Sequence, residues 1–170
     1  MVDIADQLST LVLVLWAMGL GAVIGIERER YDKPAGLRTH ILVAGAAALV
    51  TAVAADLVLE GGQGDPSRGL HAVMTGIGFL GAGAILRPRK GPVGGLTTAA
   101  TVFYTAAVGG AVAAGFGIAA TGATLLAIFA LSIVGRYFAP IVKGELFTSG
   151  AAQPDEPDDG QDGLFLPLNE

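Results

Sequence analysis

The sequence consists of long apolar stretches separated by short polar connections. Five stretches approach the ~20 apolar residues that a helix needs to cross a bilayer. They cover residues 8–26, 41–59, 70–86, 96–114 and 116–135. Only Gly115 separates the last two, which predicts a tight helical hairpin at that point. The pattern therefore predicts an all-α, polytopic membrane protein with five transmembrane helices.

The basic residues indicate the direction in which these helices run. Nine of the ten lysines and arginines follow the first, third or fifth stretch, and only Arg68 belongs to the other side. Cytoplasmic connections carry the excess of basic residues in membrane proteins, so we expect the amino terminus outside and the carboxyl terminus in the cytoplasm. Asp3 and Asp6 precede the first stretch without any basic residue, the reverse of a secretory signal, so we predict a retained span.

Composition agrees with this class and divides the chain into two parts. Hydrophobic residues make up 52% of the sequence and charged residues 15%. The formal net charge of −5 arises largely in the last sixteen residues, which hold six of the fifteen acids. We therefore predict a transmembrane domain over residues 1–144 and an acidic, disordered cytoplasmic tail over residues 145–170.

Several functional classes are excluded at this point. No uniform basic surface indicates a nucleic-acid partner, and the lipid bilayer is the expected environment. The sequence has no cysteine, which removes thiolate metal sites and cysteine nucleophiles. No cluster of a nucleophile, a base and an orienting group is evident, so we expect no enzyme activity and no catalytic residue.

Small residues indicate where helices approach each other, because close backbone contact supplies most of the packing between helices in lipid. Gly21 and Gly25 give the first stretch a GxxxG surface. The third stretch has glycines on two opposite faces, which predicts that it is the central helix of the bundle. These glycines are Gly76, Gly78, Gly81 and Gly83.

Polar residues occur at the outer end of the third stretch and along the fourth. Asp65 is a candidate helix cap beside Arg68, and its carboxylate is also a candidate site for a cation such as Mg²⁺. The fourth stretch carries a polar stripe, which indicates either a partly hydrated internal surface or hydrogen bonds between helices. Its members are Thr97, Thr98, Thr101, Tyr104 and Thr105.

Charged residues also meet at the predicted cytoplasmic boundary. Glu27 and Arg28 end the first stretch, and Arg38, Thr39 and His40 begin the second. A connection of only about a dozen residues joins them, so we predict an ion pair between Glu27 and Arg38. His40 and His71 lie near opposite boundaries, which argues against a transition-metal site formed by the two histidines.

Five motifs occur in order along the chain. They are GIERE from Gly25, KPAGLRTH from Lys33, DPSR from Asp65, GIGFLGAG from Gly76 and GLTTAA from Gly95. With this spacing, about residues 19–115 resemble the membrane domain of the MgtC/SapB family. The resemblance implies a multi-pass protein of the prokaryotic plasma membrane that acts in magnesium homeostasis and adaptation to low magnesium.

The resemblance also implies a class of function. It favours regulation of another membrane complex, with the proton-driven ATP synthase as one candidate partner and a second copy of the chain as another. Many family members carry an ACT-like domain after the last span, and the residues after Gly135 are expected to be too few and too acidic to form one. A small Mg²⁺ or other cation permease is the alternative, although no ionisable residue lies at mid-membrane depth. No cofactor is expected, and Mg²⁺ is the one candidate ligand.

Overall fold

The computed structural model describes residues 3–61, 65, 67–85 and 94–133, and all of the elements named below are helices. In chain order they are α1 (Ile4–Arg30), α2 (Leu37–Gly61), α3 (Ser67–Ala84), α4 (Leu96–Ala113) and α5 (Gly117–Phe129). Each coincides with one predicted apolar stretch. The helices α1 and α2 continue past the apolar residues into the polar motifs at their shared end. The predicted acidic tail, residues 145–170, lies outside the described residues.

Three of these helices have the length and apolar composition to cross a membrane. They are Ile4–Arg30, Leu37–Leu57 and Leu96–Ala113, while Gly117–Ile133 is apolar but shorter. Large apolar side chains are exposed on several helices, among them Phe79 and Ile118, as expected of surfaces that face lipid. The chain is therefore a membrane protein, and the third and fifth spans stay predictions.

The centre of the bundle is α4 rather than α3. Among the described residues, α4 packs against each of the other four helices, whereas the main neighbours of α3 are α2 and α4. Two clusters of small apolar side chains fill the interior, one around Ala44 and Val108 and the other around Ala47 and Ala106. The prediction that α3 is central is wrong, because the glycines of α3 do not all meet neighbouring helices.

Close approach of α2 to its neighbours depends on three glycines. A Cβ at Gly109 of α4 would overlap the backbone carbonyl of Ala44. On α1, a Cβ at Gly21 would lie 2.5 Å from the His40 carbonyl oxygen, and one at Gly25 would lie 2.7 Å from the Leu37 Cα. The GxxxG surface predicted on α1 is thus the face that packs against α2.

The four glycines of α3 differ in their surroundings. Gly81 is buried, and a Cβ there would make ordinary contact with the Ala99 side chain at 3.7 Å. A Cβ at Gly76, Gly78 or Gly83 would meet no described atom within 4 Å, and all three positions are exposed. Within the described part of the chain, only Gly81 of these four therefore packs against another helix.

Candidate functional site

The connection between α1 and α2 is held by a side chain that sequence reasoning missed. Glu29, near the end of α1, accepts a hydrogen bond at Oε2 from the backbone N–H of Leu37, the first residue of α2, at 2.9 Å. Gly36 lies directly against the Glu29 carboxylate, so any Cβ at this position would overlap it. The acid of α1 thereby caps the amino terminus of α2 and links the ends of the two helices.

This cap predicts a stability effect. Replacing Glu29 by alanine should lower the free energy of unfolding by about 1 kcal/mol, because an amide at the helix start loses its acceptor. Glu29→Gln keeps an acceptor and should lose less. Thermal unfolding of the purified protein in detergent would measure both, with Arg30→Ala as the exposed neighbour that should change little. Equal losses for all three variants would contradict a role in capping.

Glu27 and Arg28 are buried at the last turn of α1. Their exposed fractions are 7% and 4%, which is unusual for charged residues. The Arg28 Nε and the Glu27 Oε2 are 3.4 Å apart, longer than the ~2.7–2.9 Å of a charge-assisted hydrogen bond. Neither of these two atoms has a hydrogen-bond partner among the described residues.

His40 is the third buried polar residue at this end. It is fully buried, and its Nδ1 lies 2.8 Å from the Gly36 carbonyl oxygen. A carbonyl only accepts, so Nδ1 carries the hydrogen and Nε2 is left as an acceptor, without a partner in the described part of the chain. His40 packs against α1 at Gly25, two residues before Glu27. We call Glu27, Arg28 and His40 the buried polar cluster.

The predicted ion pair between Glu27 and Arg38 is not formed. The charged neighbour of Glu27 is Arg28, while Arg38 and Thr39 are exposed. The reason is helical phase: α2 begins at Leu37, and successive side chains turn by ~100°, so His40 faces α1 when positions 38 and 39 face away. The starting residue of α2, and not proximity in sequence, therefore determines that His40 is buried while Arg38 and Thr39 are exposed.

Three hydroxyls of the predicted polar stripe are hydrogen-bonded. Thr101 and Thr105 of the predicted stripe each donate to a carbonyl of their own helix, and Tyr104 donates to the Ala123 carbonyl of α5 at 2.8 Å. Thr98 is buried on the same side as Thr101, whereas Thr97 is exposed. For Thr101, Tyr104 and Thr105 the described geometry therefore favours hydrogen bonds within and between helices over a hydrated internal surface.

A chamber of about 830 Å³ opens beside the buried polar cluster. It is bounded by the end of α1 and the following connection, by the start of α4, and by the residues after α5. Its polar lining residues are Glu27, Arg28, Tyr31, Asp32, Lys33, Thr97, Thr98 and Ser132. Glu27 and Arg28 of the buried polar cluster thus line a space large enough for a small ligand.

The start of α4 forms one wall of this chamber and depends on a glycine. Gly95 precedes the helix with φ of +82°, a left-handed conformation, and a Cβ there would overlap the Ala84 carbonyl at the end of α3. Gly95 stands at the N-cap position and makes no side-chain hydrogen bond to α4. The backbone N–H groups of its first turn therefore receive no acceptor from the N-cap side chain.

Asp65 has the structural role predicted for it. Its Oδ1 accepts from the Ser67 backbone N–H at 2.9 Å at the start of α3, and this bond, with the Ser67 hydroxyl, holds the pKa of Asp65 below its usual range. Arg68 follows in the first turn and is exposed. In the part of the chain that the structure describes, no group of three or more His, Asp or Glu residues could hold a metal ion, so a metal site at Asp65 gains no support.

Residues 14–138 match the model of the MgtC family, in agreement with the order of the five motifs. The chain belongs to the MgtC family. MgtC of Brucella abortus (strain 2308) is 38% identical over 135 residues, which cover 79% of this chain and 55% of the relative. SrpB of Synechococcus elongatus is 40% identical over 148 residues, 78% of this chain and 72% of the relative.

A third relative is YhiD of Escherichia coli K12, whose name describes it provisionally as a magnesium transporter. It is 45% identical over 108 residues, which cover 61% of this chain and 49% of YhiD. The chain thus spans about half the length of YhiD and of the Brucella relative. No solved structure matches this chain. Family membership confirms the MgtC/SapB resemblance that the motifs indicated.

Proposed function

We propose that this protein belongs to the magnesium homeostasis of a prokaryotic plasma membrane, where it regulates another membrane complex when magnesium is scarce. The family assignment and the name of YhiD support the link with magnesium. One structural observation supports a regulator: the buried polar atoms without partners among the described residues, in Glu27, Arg28 and His40, all lie at one end of the bundle. This arrangement suits recognition at one membrane surface.

A permease is the second candidate, and the described helices argue against it. A path for a cation needs a series of ionisable or hydrated groups across the membrane. In α1 no charged residue lies between Asp6 and Glu27, and in α2 none lies between His40 and Asp56. The hydroxyls in the middle of α4 are engaged in hydrogen bonds. The name of YhiD is the observation that keeps transport as an alternative.

The proposal includes an orientation and a partner. In this proposal the protein has five spans, and the buried polar cluster and its chamber face the cytoplasm, which the excess of basic residues on that side supports. The proton-driven ATP synthase implied by the family resemblance is one candidate partner at that surface. A second copy of this chain is the other candidate partner.

Reconstitution into liposomes separates the two candidates. Vesicles that contain the purified protein and an internal magnesium-sensitive dye should take up external Mg²⁺ no faster than empty vesicles. In cells that lack the protein, the wild type should restore growth at low magnesium, and Glu27→Gln should restore less at equal membrane abundance. The matched control is Arg30→Gln, which changes an exposed charge on the same helix. Mg²⁺ entry well above empty vesicles and reduced by Glu27→Gln would favour the permease.

A further inference from the structure

We propose that the chamber beside the buried polar cluster is a binding site for a phosphoryl group that carries a proton, such as hydrogen phosphate or a phosphomonoester. The site is a property of Glu27, Arg28 and the first turn of α4. It does not depend on whether the protein regulates a partner or transports an ion.

The first turn of α4 supplies donors for an anion. The first amide hydrogen-bonded within the helix is that of Ala99, which donates to the Gly95 carbonyl at 2.9 Å. The amides of Leu96, Thr97 and Thr98 come before it and have no acceptor within the helix. These residues line the chamber, and the positive end of an 18-residue helix favours an anion at this position.

Arg28 supplies a second and independent indication of an anion. Its side chain is only 5% exposed, it lines the chamber, and its Nε has no hydrogen-bond partner among the described residues. The Glu27 Oε2 at 3.4 Å is its charged neighbour but not a hydrogen-bond acceptor. A buried charged donor without a hydrogen bond is costly, so an acceptor in the chamber would be stabilised by Arg28. A guanidinium is a planar set of donors that matches two oxygens of a phosphoryl group.

Glu27 determines which anion fits. Its Oε2 lies 3.4 Å from the Arg28 Nε, is buried and lacks a donor in the described part of the chain. An anion without a hydrogen would be repelled by this carboxylate, whereas a P–OH group would donate a hydrogen bond to it. Phosphomonoesters keep a proton at least in part near neutral pH, since their second pKa is about 6. Sulfate has no such proton, so the site should prefer phosphate to sulfate.

The preference can be measured without any substitution. Full-length protein in detergent at pH 6.5 would be titrated with inorganic phosphate and with sulfate, using calorimetry or a shift of the unfolding temperature. We expect phosphate to bind at least about tenfold tighter, as one hydrogen bond to a charged group predicts. Equal affinity for the two anions would overturn the proposal. So would the absence of binding both for inorganic phosphate in this titration and for phosphatidate, a lipid phosphomonoester, in nanodiscs.

Two variants assign the preference to residues. Glu27→Gln presents an amide that can donate to sulfate, so the ratio of the two affinities should fall toward one. Arg28→Lys keeps the charge but loses the planar fork, and phosphate should bind about tenfold more weakly. Arg30→Lys on the exposed side of α1 is the matched control and should leave both affinities unchanged. An unchanged ratio in Glu27→Gln would contradict the role of its carboxylate.

Experiments in lipid nanodiscs distinguish the two possible sources of the phosphoryl group, a lipid headgroup and free phosphate. Phosphatidate carries a phosphomonoester, whereas the phosphodiester of phosphatidylglycerol has no P–OH. If phosphatidate in the disc weakens the binding of inorganic phosphate and phosphatidylglycerol does not, the site takes a lipid headgroup. If neither lipid competes, the site takes free phosphate. Equal competition by both lipids would contradict recognition of the proton.

Discussion

Gly109→Leu is expected to prevent accumulation of the folded protein, whereas Gly76→Leu is expected to leave its membrane level close to that of the wild type. A Cβ at Gly109 would overlap the carbonyl of Ala44, and a backbone on the central helix pair cannot move aside as a side chain can. Overpacking a core with flexible neighbours costs ~1–3 kcal/mol, and this substitution should exceed that range. Membrane abundance and size-exclusion profiles in detergent would measure the difference.

Gly76 is the matched control for this prediction. It is a helical glycine of the same protein, it is exposed, and a Cβ there meets no described atom within 4 Å. A leucine at this position adds apolar surface where lipid is expected, which carries little cost in a membrane. Equal accumulation of both variants would mean that α4 and α2 do not approach each other as the structure shows.

The helices themselves could be predicted from the sequence, because runs of apolar residues with polar ends leave few alternatives to helices in lipid. Which glycines pack against a neighbouring helix could not be predicted from the sequence. Gly76, Gly78, Gly81 and Gly83 place small residues on two opposite faces of α3, and this pattern is compatible with a central or a peripheral helix. Which glycine meets a neighbour depends on the arrangement of all five helices, and α4 takes the centre.

The candidate site could also be predicted only in part. The sequence indicated Glu27, Arg28 and His40 as charged or polar groups at one boundary, and the structure buries all three. The partner chosen for Glu27 was wrong because the first residue of α2 sets which side chains face α1. A signal for Glu29 was present in the sequence. Gly36 stands directly before α2 and has no side chain that could cap the helix, which leaves the Leu37 N–H open to an acceptor from elsewhere, and Glu29 supplies it.

Arg28→Ala is expected to be the most damaging loss of a charge in the described chain, at ~3–5 kcal/mol of stability. The substitution would leave the Glu27 carboxylate buried without its positive neighbour, which is 3.4 Å away in the wild type. Arg30→Ala, two residues later and exposed, should cost less than ~0.5 kcal/mol. Thermal unfolding in detergent with matched protein concentration would compare the two.

The double variant Glu27→Gln with Arg28→Met tests whether this loss comes from an uncompensated charge. Removing both charges leaves neither group to be desolvated alone, so the double variant should be more stable than Arg28→Ala, even though it lacks two native side chains. The coupling between Glu27→Gln and Arg28→Met should be positive by ~1–3 kcal/mol in a double-mutant cycle. Additive losses would contradict a coupling between the two charges and would assign the contribution of Arg28 to its aliphatic contacts.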